Sequence, residues 1–202
     1  MSAYLLMLLA ALPSLQAHDW VIVPGERVGP VTAETTEAEL VQLLGAEHVK
    51  PTEVHVGEGF FEPGAILYDE DPTRRLHVIW SDSTLRARPK RVYVRADSSL
   101  WHLQDDITLG TRLSELEERN GGPFVLAGFE WDYSGTVTSW EGGMLGQLDG
   151  PEMRVLLRLD PPWEGHADSV YYAVSGDRDF PSDHWAMRRL DPAVYEILIL
   201  FQ

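Results

Sequence analysis

Six residues close together in the chain carry the side chains best suited to chemistry: Glu130, Trp131, Asp132, Tyr133, Trp140 and Glu141. They lie in the stretch Gly128-Phe129-Glu130-Trp131-Asp132-Tyr133-Ser134-Gly135 and its continuation Ser139-Trp140-Glu141-Gly142-Gly143. Read as part of a strand over 124–133, alternation puts Phe129, Trp131 and Tyr133 on one face and Glu130 and Asp132 on the other. Two carboxylates so placed stand roughly 6–7 Å apart, a separation suited to acid–base work or to a divalent cation. The same residues have a plainer reading. Asp132-Tyr133-Ser134-Gly135 is a β-turn sequence, Asp bonding local amides and Gly taking a positive φ. Glu130 then belongs to a solvent face, and Phe129 and Trp131 to a core. Trp140 and Glu141 end a strand just before two glycines, where loops gather and ligands bind. An exposed Trp beside a carboxylate suits a sugar or a protein partner, so truncating Trp140 is expected to spare the fold and remove binding.

Other reactive patterns are weak or missing. The seven histidines include no H-E-x-x-H and no pair at helical i, i+4 spacing. His55 and His77 fall on expected strands, with Glu53, Glu58 and Glu62 near His55 in sequence, but ordinary surface or hydrogen-bonded histidines are the default reading. Gly57-Glu58-Gly59 lacks the spacing of a phosphate loop, and there is no G-x-S-x-G. The D-x-D at Asp177 opens no calcium loop, since Ser182 stands where glycine is needed and Arg188 where glutamate is needed. Cysteine is absent, which removes disulfides, thiolate metal sites and thiol nucleophiles. No cofactor and no metal are expected, and a catalytic role is the less favoured one.

The elements that must position these residues are marked by an internal repeat. Val31-Thr32-Ala33-Glu34-Thr35, Glu39-Leu40 and Gly45 recur 76 positions later as Ile107-Thr108-Leu109-Gly110-Thr111, Glu115-Leu116 and Gly121. The shared residues are turn, cap and core types, so the repeat describes a scaffold. Thr36-Glu37-Ala38-Glu39 has capping-box spacing, and Gly45 fits the residue after a helix. In the second unit Ser114-Glu115-Leu116-Glu117 offers the same spacing, with Thr111 as the alternative cap. Such short helices cannot stand alone and must pack on a sheet. Strands are expected at 53–55, 64–68, 76–80 and 91–95, then at 124–133, 136–140 and 153–159, with loops at 69–72 and 81–89. The tail adds the segment 170–174, a short helix over 182–190 and a last strand over 194–201. The fold class expected is α+β and mostly β: two tandem repeats, each a short helix plus an antiparallel meander, whose strands either form two packed sheets or one continuous sheet with helices on one face.

Composition sets the setting. A net charge of −16 argues against nucleic acid and against anionic lipid, both of which need basic patches. It suits solubility and cationic partners. The run Tyr4-Leu5-Leu6-Met7-Leu8-Leu9-Ala10-Ala11-Leu12 is too short to span a bilayer but has the length of a signal-peptide core. Ala17 would precede the cleavage point. The expected organisation is a signal peptide over 1–17, a first unit over 18–105 and a second unit with a C-terminal extension over 106–202, in a periplasmic or secreted protein with no transmembrane span in the mature chain.

The motifs Asn120-Gly121-Gly122-Pro123-Phe124, Gly128-Phe129, Trp131-Asp132-Tyr133-Ser134-Gly135, Ser139-Trp140-Glu141-Gly142-Gly143 and Asp191-Pro192-Ala193-Val194-Tyr195 resemble a family of exported bacterial proteins with no assigned activity. That resemblance implies export and carries no catalytic residue. The repeat unit itself is weakly similar to small outer-membrane assembly modules and to the β-lactamase inhibitory proteins. This second resemblance implies an interaction module working through its sheet or loops. The expected role is therefore to bind a protein or an envelope component, including a glycan, through an acidic and aromatic surface over 131–141. The alternatives are a carbohydrate-acting hydrolase using Glu130, Asp132 or Glu141, and a purely structural envelope protein in which Trp131 and Trp140 are both buried.

Overall fold

The structure, a computed structural model, describes residues 19–202 apart from Asp97, Asp105 and Trp163. The expected signal segment lies outside the described residues. In chain order the elements are β1 (Val21–Val23), β2 (Arg27–Val28), α1 (Glu37–Leu44), β3 (Val49–Gly57), β4 (Phe60–Leu67), β5 (Leu76–Asp82) and β6 (Ala87–Val94). There follow β7 (His102–Leu103), α2 (Leu113–Asn120), β8 (Val125–Ala127), β9 (Val137–Ser139), β10 (Met153–Asp160), α3 (Asp168–Tyr172), β11 (Asp179–Pro181), α4 (Trp185–Leu190) and β12 (Ala193–Phe201). The fold is α+β and mostly β, as the patterning predicts. No helix of the described residues is long and apolar enough to cross a membrane.

The body of the fold is one antiparallel sheet of six strands in the order β10-β12-β6-β5-β4-β3. Strands from both halves of the chain thus share a single sheet, joined where β6 pairs with β12 through Val94↔Ile197 and Val92↔Ile199. Alternation sends Val78, Val92, Val155, Leu157, Ile197 and Ile199 to one face, where they form one core with Leu40 of α1, Leu116 of α2 and Met187 of α4. The opposite face stays open. On it Val54, Ile79 and Tyr93 make a smaller cluster edged by Val56 and Leu198. A bulge lies where Arg158 faces Glu196 but Leu159 already faces Val194, leaving Tyr195 as the extra residue. It lets Val194 stay in the core while Glu196 comes up on the open face.

The helices start where local chemistry says they should. Thr36 Oγ1 accepts from the Glu39 amide at 3.2 Å, and Glu39 accepts from the Thr36 amide at 2.8 Å. In α2 the reciprocal bond runs from the Arg112 amide to Glu115 at 2.8 Å, not through Ser114. Ser114 lies inside the helix, and its amide donates to Asp191 Oδ1 at 3.0 Å. The paired threonines behave alike: the Thr32 amide donates to Thr35 Oγ1 at 2.9 Å and the Thr108 amide to Thr111 Oγ1 at 3.0 Å. Each Thr then accepts from a strand, Thr35 from the Arg88 amide of β6 and Thr111 from the Val194 amide of β12. The two short helices are therefore tied at their starts to the two strands that form the seam of the sheet.

Several expected strands shift. β3 and β4 run on to a hairpin tip at Gly57-Glu58-Gly59, and the loop expected over 81–89 shrinks to the turn between β5 and β6. The aromatic run to Tyr133 is strand only as far as Ala127, because Gly128 sits where a Cβ would meet the Gly176 carbonyl at 2.5 Å and Glu130 takes φ +70. Segment 170–174 is largely helical, in α3.

Burial on the open face also fixes a proton. His77 lies in the row Ile66, His77, Tyr93, Leu198, Leu156, and burial pushes its imidazole down to about 4. A base lowered in the fold takes its proton more readily when unfolded. Stability is thus complete above about pH 6.5 and falls as pH drops through that value toward 4, by at most roughly 3 kcal/mol. Asp19, Glu62, Asp69 and Asp71, all held low by partners, lose their contributions only below their ordinary carboxylate values. Urea midpoints measured from pH 7 to 4.5 should fall for the wild type and stay much flatter for His77→Leu.

Candidate functional site

The open face of the sheet carries a cleft of ≈ 990 Å³. One wall is the β3–β4 hairpin, with Glu58 at its tip and Phe60 and Phe61 just after it; the other is the loop Glu130-Trp131-Asp132-Tyr133. The floor is made by β6, β12 and β10 through Arg91, Tyr93, Arg95, Glu196, Leu198 and Arg158. Three aromatic side chains at this cleft are strongly exposed, Phe60 at 66%, Trp131 at 56% and Tyr133 at 74%, while Phe61 sits on the opposite face of the hairpin against His55.

The loop is held rigidly at both ends. Phe129 is fully buried, its amide donating to the Val174 carbonyl at 3.0 Å and its carbonyl accepting from the Gly176 amide at 2.9 Å. Its ring stacks on Tyr171. Beyond it the chain turns: the Ser134 amide donates to the Trp131 carbonyl at 2.8 Å and the Thr136 amide to the Tyr133 carbonyl at 2.9 Å. These bonds close turns over 131–134 and 133–136, one residue either side of the turn expected at Asp132-Tyr133-Ser134-Gly135, and the Gly135 amide donates to the Ala127 carbonyl instead. Gly135, at φ +66, lies so close to β10 that a Cβ would stand 1.8 Å from the Leu159 carbonyl oxygen. From β10, Arg158 reaches back to donate to the Asp132 carbonyl at 3.1 Å and the Ser134 carbonyl at 3.4 Å. The expected alternation along a strand therefore does not hold. Phe129 is core, whereas Trp131 and Tyr133 are thrust into solvent.

Charge is arranged in two tiers. On the floor the four cations Lys90, Arg91, Arg95 and Arg158 share two carboxylates. Arg95 and Arg158 converge on Glu196, whose side chain is nearly buried, Arg158 at 3.3 Å. Arg95 also donates to the His55 carbonyl at 2.9 Å and lies 3.7 Å over the Tyr93 ring. Arg91 and Lys90 share Glu62, whose carboxyl is held below its usual range by the Lys90 hydrogen bond first and then by the Arg91 charge. On the rim the arrangement is opposite. Glu58 and Asp132 face each other across the mouth, and the hydrogen bond with Asp132, together with its charge, pushes the Glu58 carboxyl up. Among the described residues no Lys or Arg forms a salt bridge with Glu58, Glu130 or Asp132.

The structure thus brings Glu130, Trp131, Asp132 and Tyr133 to one cleft and leaves Trp140 and Glu141 elsewhere. Trp140 is only 8% exposed and packs on Phe124 with ring centroids 5.1 Å apart. Its carbonyl accepts from Asn120 Nδ2 at 3.1 Å, and the same amide group donates to Gly122 and accepts from the Leu145 amide at 3.2 Å. Gly143 has no room for a Cβ, which would stand 2.2 Å from Asn120 Oδ1. The Asn-Gly-Gly-Pro-Phe and Ser-Trp-Glu-Gly-Gly motifs are the two sides of this staple, so their spacing serves architecture. The expectation that Trp140 is an exposed contact residue is overturned. Glu141, at φ +51, accepts from Ser139 Oγ at 2.6 Å beside a separate gap of ≈ 500 Å³. Among the described residues no group of three or more His, Cys, Asp and Glu could hold a metal ion.

Glu58, Phe60, Phe61 and the arginine floor have no counterpart in the sequence expectations. The available signal was Gly57-Glu58-Gly59 between two alternating segments, a hairpin turn rather than a failed phosphate loop. No family model, no curated protein and no solved structure matches the chain.

Substituting Gly135 should separate the anchor from its neighbours. Gly135→Ala must both adopt a positive φ and push away a backbone carbonyl, and should lower stability by roughly 1–3 kcal/mol. Gly142→Ala, at φ +75 but in open space, should lower it by about 1 kcal/mol. Urea denaturation of the two variants checks the order.

Proposed function

We propose that this chain is a non-catalytic binding module of the cell envelope that works through the cleft on the open sheet face. The observation that carries the reading is the convergence of three exposed aromatic side chains, Phe60 from one wall and Trp131 and Tyr133 from the other, on one cleft. Large exposed apolar patches on a folded chain mark interaction surfaces. Aromatic side chains also give much contact area for little conformational entropy. The partner is a protein or an envelope component. An envelope setting is supported by the apolar run of residues 4–12, the absence of cysteine and the resemblance to exported bacterial proteins. The matched bonds at Thr32/Thr35 and Thr108/Thr111, and the matched helix starts, support an origin in two tandem units.

The hydrolase alternative draws on the facing carboxyls Glu58 and Asp132. Acid catalysis by a carboxyl needs a water-excluded setting that holds its proton, and these two stand at the solvent-exposed mouth. The purely structural alternative needs a buried Trp131, which is more than half exposed.

Trp131→Ala/Tyr133→Ala should leave the urea midpoint close to that of the wild type, since both side chains lie largely in solvent, and should abolish capture of a partner from envelope extract. Trp140→Ala should instead destabilise the fold by about 3–5 kcal/mol, as loss of a buried Trp does. Equal capture by the wild type and the Trp131/Tyr133 variant would remove the cleft as the working surface.

A further inference from the structure

We infer that the outer half of the β3–β4 hairpin, residues 53–63, is a flap over the open face of the sheet, latched by Glu62 and Arg95, and that its opening sets the width of the cleft. What the flap controls rests on the binding-module reading; its movement rests on strand geometry alone.

The hairpin leaves the sheet at Gly64. β4 pairs with β5 only from Gly64↔Ile79 to Leu67↔Leu76, whereas β3 and β4 stay paired out to Gly57↔Phe60. Beyond Gly64 the two strands pair only with each other, and β3 is the edge of the sheet. In a flat sheet β3 and β6 would stand three strand spacings, roughly 14 Å, apart. Instead Arg95, just past the end of β6, donates through Nη1 to the His55 carbonyl of β3 at 2.9 Å. Val54 of β3 likewise packs with Ile79 of β5 and Tyr93 of β6. The hairpin therefore folds over the open face. Gly64 permits the close crossing of β4 on β5, since a Cβ there would stand 2.2 Å from the Val78 carbonyl oxygen.

Little holds the folded hairpin down. Between Glu53 and Pro63 only Val54 is buried, and it belongs to the small cluster on the open face, not to the main core. The polar ties to the floor are Glu62 with Lys90 at 2.8 Å, Glu62 with Arg91, and Arg95 with the His55 carbonyl. Both Glu62 pairs are partly exposed, so water and salt weaken them. Opening breaks these contacts and leaves the β4–β5 pairing and the main core intact. A segment with one buried side chain and wet ion pairs is of the kind that opens locally, far more often than the whole fold does. Phe60 rides on this flap, while Trp131 and Tyr133 stand on the loop fixed by Arg158 and by the pinch at Phe129. One wall moves and the other is anchored. An occupant that touches both walls holds the flap down, because it binds the closed form better than the open one.

The chain has no cysteine, so one introduced thiol reports alone. Ile79→Cys lies under the flap and Val92→Cys in the main core, both at fully buried positions. Each variant is reacted with iodoacetamide in rising urea below its own unfolding transition. Ile79→Cys should be labelled at least about tenfold faster than Val92→Cys, at a rate nearly independent of urea, because local opening exposes little surface. Adding Glu62→Gln, or about 1 M salt, should speed Ile79→Cys about threefold and leave Val92→Cys unchanged. Equal rates for the two thiols, both rising steeply with urea, overturn the flap, since Ile79 is then reached only by global unfolding. An Ile79→Cys rate indifferent to Glu62→Gln and to salt overturns the latch. Spin labels at Phe60→Cys/Tyr133→Cys, two exposed positions where substitution spares the fold, read the cleft width directly. A second, longer distance supports the flap, and one narrow distance overturns it. The envelope capture assay separates this failure from failure of the binding-module reading. A rigid hairpin with a partner lost by Trp131→Ala/Tyr133→Ala sinks only the flap. A mobile hairpin with capture unchanged in that variant sinks the cleft as the working surface and leaves the movement standing.

Discussion

The pairing of β6 with β12 is the constraint on which everything else depends. It joins strands about a hundred residues apart, as the Arg95–Glu196 contact across 101 positions shows. On one side of this seam stand β5, β4 and β3, and on the other β10. Only because the seam is in register do the β3–β4 hairpin and the loop over 130–135 rise over the same face. Val92, Val94, Ile197 and Ile199 hold it from below, all fully buried. Each is worth about 1.5–3 kcal/mol when removed from water, as an upper estimate. The Glu196 bridge to Arg95 and Arg158 is of a different kind. Burying charge is expensive, so its net contribution is small beside an apolar equivalent. What it adds is register: a slip of one residue would put Glu196 in the core and Ile197 in solvent.

The same seam explains the charge pattern. The chain is strongly acidic, yet its open face concentrates arginines. They are the floor of the cleft because β6 and β10 alternate Arg outward with Val and Leu inward: Arg91, Tyr93 and Arg95 beside Val92 and Val94, and Arg158 beside Leu157 and Leu159. Their long apolar stems cover Tyr93, which is only 2% exposed although it lies on the open face. The floor is therefore a bridged layer in which four cations share Glu62 and Glu196. At the rim, where the chain turns rather than pairs, Glu58, Glu130 and Asp132 form no salt bridge among the described residues.

How far the sequence revealed this depends on how local each signal is. The start of α1 was legible because a Thr and a Glu three residues apart bond within one turn, whatever the rest of the chain does, whereas α2 starts at Arg112 rather than at the expected Ser114 or Thr111. That the chain turns near Asp132–Gly135 was legible for the same reason, but the register of the turns, over 131–134 and 133–136, was not. The aromatic run at 124–133 misled, since Phe, Trp and Tyr favour strands on average while Gly128 and the close approach of β10 at Gly135 stop the strand here. Trp140 misled because a Trp before two glycines reads as an exposed loop, whereas Gly143 is needed to let Asn120 reach across and bond the Trp140 carbonyl. Glu58 was out of reach. Its meaning comes from Asp132, 74 residues away, and no local pattern encodes that meeting.

The two walls of the cleft share a physical peculiarity. Glu58 and Glu130 both take left-handed backbone conformations, at φ +48 and φ +70, where glycine would be easier. Each such residue costs of order 1 kcal/mol or more, and exposed Phe60, Phe61, Trp131 and Tyr133 add apolar surface left in water. A fold under selection for stability alone would replace these residues with Gly, Lys or Ser at no loss to the core, since none of the six belongs to it. The backbone cost recurs elsewhere, at Trp20, Tyr68, Arg86, Arg88, Asp106, Glu141 and Asp191, so it is the exposed aromatic surface that marks the two walls. Elsewhere the buried polar groups are mixed: Asn120 has its bonds and Thr35 and Thr111 sit under helix starts that use them, whereas Tyr68 OH, His77 Nδ1 and Trp80 Nε1 are buried without a hydrogen-bond partner. Trp131 and Tyr133 on one wall and Phe60 on the other leave more apolar surface in water around one cleft than a single exposed side chain would, and that concentration is what the proposed role rests on.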